Sequence, residues 1–158
     1  MRKAFSMLTA IFVIVIMATL AAFILNISQK AISTTVFQYK KEQAVLWAKS
    51  YTELAIMAAT ANDSNVSNCA ESIDGNVSGS GIADVDKGIG YAVHADISYI
   101  GNGLACTNDH ILNTVDINTT DSLHIIVDVF VRYKNPTIVD LAGSAPWVTY
   151  HRRTLQKL

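Results

Sequence analysis

The chain has 158 residues, a formal net charge of −1, 51% hydrophobic residues and 16% charged residues. That length holds one compact domain plus an appended segment, and the apolar share excludes an intrinsically disordered chain. The near-zero charge argues against general nucleic-acid binding, which needs a basic footprint, and two cysteines with four histidines are too few for the common zinc frameworks.

Charge is arranged in blocks along the chain. Residues 1–29 carry only Arg2 and Lys3, and residues 30–52 carry four lysines against Glu42. Residues 53–128 hold eleven acids and Lys87 alone, whereas residues 129–158 hold five basic residues and Asp140. A basic start, a charge-free stretch and an acidic middle read as an inside-to-outside order.

Residues 5–27 are interrupted only by Ser6, Thr9, Thr19 and Asn26, and no charge occurs between Lys3 and Lys30. As a helix this run is about 34 Å long, enough to cross the hydrocarbon core of a bilayer. Arg2 and Lys3 precede it, so the positive-inside rule expects a cytoplasmic N-terminus with the bulk of the chain outside. A cleaved secretory signal is the rival reading. It calls for a shorter apolar core of about 7–15 residues and a small-x-small site, which Thr19-Leu20-Ala21 meets only loosely.

The helical pattern continues past the span. Ile32, Val36, Tyr39, Gln43, Trp47, Tyr51, Leu54 and Ala58 recur at three- and four-residue steps and predict one amphipathic face over residues 28–61. No proline or glycine occurs before Gly75, so one helix over residues 5–61, roughly 85 Å long, is expected. Asn62-Asp63-Ser64-Asn65 supplies the breaker. Weak zones are expected at residues 26–28 and 33–36, where Ser, Thr and Val lower helix propensity.

Basic residues, the small Ala4, then Phe5 opening an apolar helix with an amphipathic second half resemble the N-terminus of type IV pilin-like proteins and type II secretion pseudopilins. The resemblance covers about the first 60 residues. It implies a leader of residues 1–4, cut by a prepilin peptidase between Ala4 and Phe5. It also implies assembly with other pilin or pseudopilin subunits through an inner-membrane assembly platform. Two positions depart from the family pattern: Ala4 stands where Gly is usual, and Thr9, fifth in the expected mature chain, stands where Glu is usual. That intramembrane Glu, in the family, pairs with the freed amine of a neighbouring subunit. Thr9 cannot make this charge pair, which points to a minor subunit with a special place such as the filament tip.

Residues 62–158 read as loop, then sheet. Asn, Ser, Gly and Asp dominate residues 62–88, which predicts a long loop with at most one short element. Alternation predicts strands at residues 89–99, 123–133 and 147–155, separated by Gly, Asn, Asp and Pro signals. The expected fold is therefore α+β: a long N-terminal helix, membrane-spanning in its first half, packed on a small antiparallel sheet of about three strands. This is also the pilin-like layout.

Cys69 and Cys106 are the only cysteines. An oxidising compartment favours one disulfide between them, and two buried thiols are the alternative. No catalytic constellation is legible: there is no Gly-x-Ser-x-Gly, phosphate loop or His-Glu-x-x-His, and the histidines are scattered. No enzyme activity and no resident cofactor are expected. Asp84-Val-Asp86-Lys-Gly88 matches an EF-hand poorly, although related pseudopilins bind calcium through other loops. Asn65, Asn76 and Asn118 each open an Asn-x-Ser/Thr string and carry an aspartate two residues earlier, in predicted loops. This resembles the acidic sequon of a bacterial periplasmic oligosaccharyltransferase, although acid-rich loops also generate such strings.

The expected function is that of a minor pilin or pseudopilin in a pilus-like, secretion or DNA-uptake filament. The alternative is an uncleaved, membrane-anchored periplasmic binding or sensing domain.

Overall fold

A computed structural model describes residues 2–61, 69–77, 82–101, 106–113, 123–135 and 145–158. Helix α1 (Arg2–Ala61) is continuous over 60 residues. The zones expected to weaken it stay helical, and at residues 33–35 the hydroxyls are satisfied within the helix. Ser33 and Thr34 donate to the Lys30 carbonyl at 3.0 and 2.9 Å, and Thr35 donates to Ala31 O at 2.9 Å.

The rest is a five-stranded sheet: β1 (Ser72–Val77), β2 (Tyr91–Ile100), β3 (Ile111–Asn113), β4 (His124–Lys134) and β5 (Trp147–Lys157). The order is β1-β2-β4-β5 with antiparallel pairs, and β3 runs parallel to β2 at Tyr99 and Ile100. The three expected strands are present as β2, β4 and β5. The count of three is corrected by β1 and β3. Both are short, and β1 is built from Ser, Asp, Gly and Asn, so neither carries a strong strand signal.

One face of the sheet packs on the upper half of α1. Tyr91, Val93, Ala95, Ile97 and Tyr99 of β2 and Ile125, Val127, Val129, Val131 and Tyr133 of β4 alternate inward and are buried. The helix answers with Ala44, Ala48, Thr52, Ala55 and Ala59, all at most 4% exposed. This corrects the expected stripe. The buried face lies one residue later than Gln43, Trp47, Tyr51, Leu54 and Ala58, which rotates it by about 100°. The cause is volume: the sheet sends fully buried Tyr99 and Tyr133 into the layer, so the helix contributes small residues and approaches closely. Thr52 belongs there because its hydroxyl donates to Ala48 O at 2.7 Å.

Two further ties fix the domain on the helix. Cys69 and Cys106 form a disulfide with Cα atoms 4.9 Å apart, joining the segment after α1 to the turn after β2. Nearby, the Tyr99 hydroxyl donates to Ala70 O at 2.8 Å. At the other end of the sheet, short helix α2 (Ile82–Asp86) stops at Gly88, whose φ of 86° suits glycine. The Lys87, Gly88 and Ile89 amides close that turn on the Asp84 and Val85 carbonyls. Lys40 of α1 donates to Gly88 O at 2.9 Å, and burial pulls its ammonium pKa down. The Tyr91 hydroxyl donates to Gln43 Oε1 at 2.8 Å, and burial first, then Tyr133 and Tyr39, pushes its pKa up to about 12.

Candidate assembly surface

Helix α1 presents two unlike apolar surfaces. Its lower half is apolar all round: Met7, Leu8, Phe12, Ile14, Met17 and Phe23 are each more than 60% exposed. The helix is long and apolar enough to cross a membrane, with a mean hydropathy of 2.8 in its most apolar window and none of that window buried.

The upper half carries a second apolar stripe, roughly opposite the buried one. Ile32, Tyr39, Leu46 and Met57 are 62–65% exposed, and Val36 and Leu54 are 41% and 44% exposed. These positions cluster on one side of the helical wheel, roughly opposite the buried alanines and bordered along one edge by Glu42, Lys49 and Glu53. Gln43, Leu46, Trp47 and Ser50 line a shallow groove of about 300 Å³ on this side. The sheet covers a different face, so this stripe remains open among the described residues. It runs into the apolar lower half without a break in the helix.

The sheet's outer face is polar and paired across strands. Asp74, His94, Phe130 and His151 form one cross-strand row, and Ser72, Asp96, Asp128 and Arg153 form the next. His94 Nδ1 lies 2.7 Å from Asp74 Oδ1, and its Nε2 lies 3.7 Å from Asp96 Oδ2. Asp128 and Asp96 are direct neighbours, an unfavourable like-charge pair relieved by cations. Arg153 binds Asp128 through Nε and Nη2 at 2.7–3.0 Å, and His151 Nε2 approaches it to 2.7 Å. The Arg153 hydrogen bonds are the main cause of the lowered Asp128 pKa. His151 stacks on Phe130 with centroids 4.4 Å apart. A pocket of about 180 Å³ opens over Ala92 between Asp74, Asn76, His94 and Arg132. The small Ala92 side chain leaves that room.

The sequence-predicted positions fall in several places. Ala4 and Phe5 lie in the first turns of α1, and Thr9 is exposed on it. Cys69 and Cys106 come together. Asn76 lies on β1 rather than in a loop, because the register with β2 reaches Val77. Asn65 and Asn118 fall outside the described residues. Asp84 and Asp86 belong to α2, where residues two apart point to different sides, so the turn forms a helix end rather than an ion cradle. No cluster of His, Cys, Asp or Glu suited to a metal occurs among the described residues. Sequence reasoning named Ile32, Val36, Tyr39 and Leu54 of this open stripe but missed the alanine face that packs, because a hydropathy pattern does not say which side of the helix faces the sheet. It also missed the Asp128–Arg153–His151 group, whose members meet only through register. Comparison with models of known protein families, with curated proteins and with solved structures returns no match.

Proposed function

We propose that the chain is a minor subunit of a pilin-like or pseudopilin filament. The single observation that carries this reading is the open apolar stripe on the upper half of α1, continuous with an apolar lower half. In a membrane, lipid covers the lower half, but the stripe stands above the span in water. There its large side chains gain from burial against another helix, at roughly 25 cal/mol per Å² of apolar surface. Helices packed through this stripe form a bundle, and the sheets face outward from it. The N-terminal pattern Arg2-Lys3-Ala4-Phe5 supports leader cleavage on the cytoplasmic side and a domain on the outer side of the inner membrane. The polar ladder on the sheet's outer face fits solvent.

The 180 Å³ pocket over Ala92 favours a second reading, a membrane-anchored binding domain for a small polar ligand. One experiment separates them. Leu46→Lys and Met57→Lys charge the stripe at exposed positions, so the domain keeps its stability to within about 0.5 kcal/mol. Incorporation of these variants into filaments, measured by immunoblot of sheared fractions, falls sharply under the filament reading. Unchanged incorporation rejects it.

A further inference from the structure

The contacts of α1 orient the sheet along the helix. Tyr99 and Cys69 sit toward the helix end at Ala61, whereas Gly88 and Tyr91 hold Lys40, nearer the apolar half. A Cβ on Gly88 would lie 3.7 Å from Lys134 Cβ, and Lys134 pairs in register with Trp147. The end of the sheet bearing Lys134 and Trp147 therefore faces back along α1 toward residues 5–27.

That end has a distinctive make-up. Trp147 is 41% exposed, with Lys134 Nζ 4.3 Å and Arg132 Cζ 5.7 Å from its ring centroid. Ile89, 53% exposed, follows the exposed Lys87 on the adjoining turn. An exposed tryptophan and isoleucine among cations match the interfacial belt of membrane proteins, where aromatic rings sit at headgroup depth beside Lys and Arg. The described acids nearest this end are Asp84, Asp86 and Glu42. Lys30, Lys40 and Lys41 on α1 outweigh Glu42, so cations predominate.

We infer that this end of the domain docks on the anionic lipid headgroups of the bilayer that α1 enters. The inference rests on α1 crossing a bilayer and not on filament assembly. Lys40 lies 13 residues beyond Ile27, about 20 Å along the helix axis. The headgroup layer covers roughly 5–7 Å of that distance. The long Lys and Arg side chains and a helix tilt of about 20° close most of the remainder. What is left is within the screening length of about 8 Å, so anionic lipid attracts Lys87, Arg132 and Lys134 before direct contact forms. Docking tilts the domain onto the membrane and brings Trp147 to the interface.

The test uses the full chain in lipid nanodiscs, with Trp47→Phe leaving Trp147 as the sole tryptophan. Nitroxide-labelled headgroups quench Trp147 emission in discs containing phosphatidylglycerol. Quenching is lost in pure phosphatidylcholine discs, in high salt, and in Arg132→Gln/Lys134→Gln. Absence of quenching in the anionic discs overturns docking, and quenching that ignores both salt and lipid charge overturns its electrostatic basis. Phe23→Trp, in a chain also carrying Trp47→Phe and Trp147→Phe, checks the span separately with acyl-chain labels. If that position is not quenched, α1 does not cross the bilayer and the inference falls with it. If it is quenched while Trp147 is not, the span stands and docking alone fails.

Discussion

Gly75 and Asp128 show how much single positions decide in this sheet. A Cβ on Gly75 would overlap the Tyr51 hydroxyl, so glycine is what lets the α1 ring lie across β1. Gly75→Ala is expected to destabilise the domain by about 1–3 kcal/mol through overpacking. The sign reverses in a Tyr51→Ala background, where the clash is gone and Ala gains roughly 0.5–1 kcal/mol over Gly in a strand. Denaturant melts of the four variants in a double-mutant cycle measure this coupling, and additivity would refute it. Asp128 makes a pH-dependent contribution. Hydrogen bonds from Arg153, then His151, hold its folded pKa below the ordinary 3.8. A depressed carboxylate stabilises the fold above its unfolded pKa, and that stability is lost as pH falls through the lower folded value. The loss therefore sets in below about pH 4. Asp128→Asn is expected to flatten stability against pH in this range, as read by denaturation midpoints at stepped acid pH.

At the scale of elements, α1 and β4 were plain in the sequence, and the contact between them was not. A charge-free run followed by three- and four-residue apolar steps specifies a long helix, and strict alternation from Leu123 to Tyr133 specifies a buried strand. The buried side of the helix was hidden because the face that packs is Ala44, Ala48, Thr52, Ala55 and Ala59, small side chains that draw less notice in an amphipathic pattern than the larger Tyr39, Trp47 and Leu54. Packing chose it by volume, since the tyrosines of β2 and β4 already fill the layer. β1 was hidden because its pairing with β2 comes from register and from the anchoring disulfide, not from its own Ser-Ile-Asp-Gly-Asn-Val composition. This gives a further expectation. Ala48→Leu adds bulk at a site with no exposed surface and should cost about 1–3 kcal/mol, although leucine is the more hydrophobic residue and also a good helix former. Thermal melts of the purified domain test it. A stabilised variant would mean that helix and sheet do not meet as closely as Ala48 implies.

For the whole molecule, the proposed assembly turns on the first turns of α1. The proposal expects cleavage between Ala4 and Phe5, which would free an amine at Phe5; mass spectrometry of the mature chain from cells with a prepilin peptidase reads it directly. Once freed, that amine can pair with a glutamate on another subunit inside the membrane, where an unpaired carboxylate costs several kcal/mol. This chain offers no such glutamate in return, because Thr9 stands at that position. A threonine on a helix satisfies its hydroxyl within its own turn, as Thr19 does by donating to Ile16 O at 2.8 Å. Thr9 therefore creates no demand for the amine of a following copy. In the proposed assembly the pairing is one-sided: the chain would dock onto a glutamate-bearing subunit, but a second copy would gain no charge pair by docking onto it. Expression of this chain alone is expected to give no filaments, and co-expression with a glutamate-bearing major subunit should give incorporation at a low ratio. Thr9→Glu restores the second half of the pair and should raise that ratio, as read by quantitative mass spectrometry of sheared filaments. Abundant filaments of this chain alone, or a ratio indifferent to Thr9→Glu, would refute the one-sided role while leaving the helix-on-sheet fold intact.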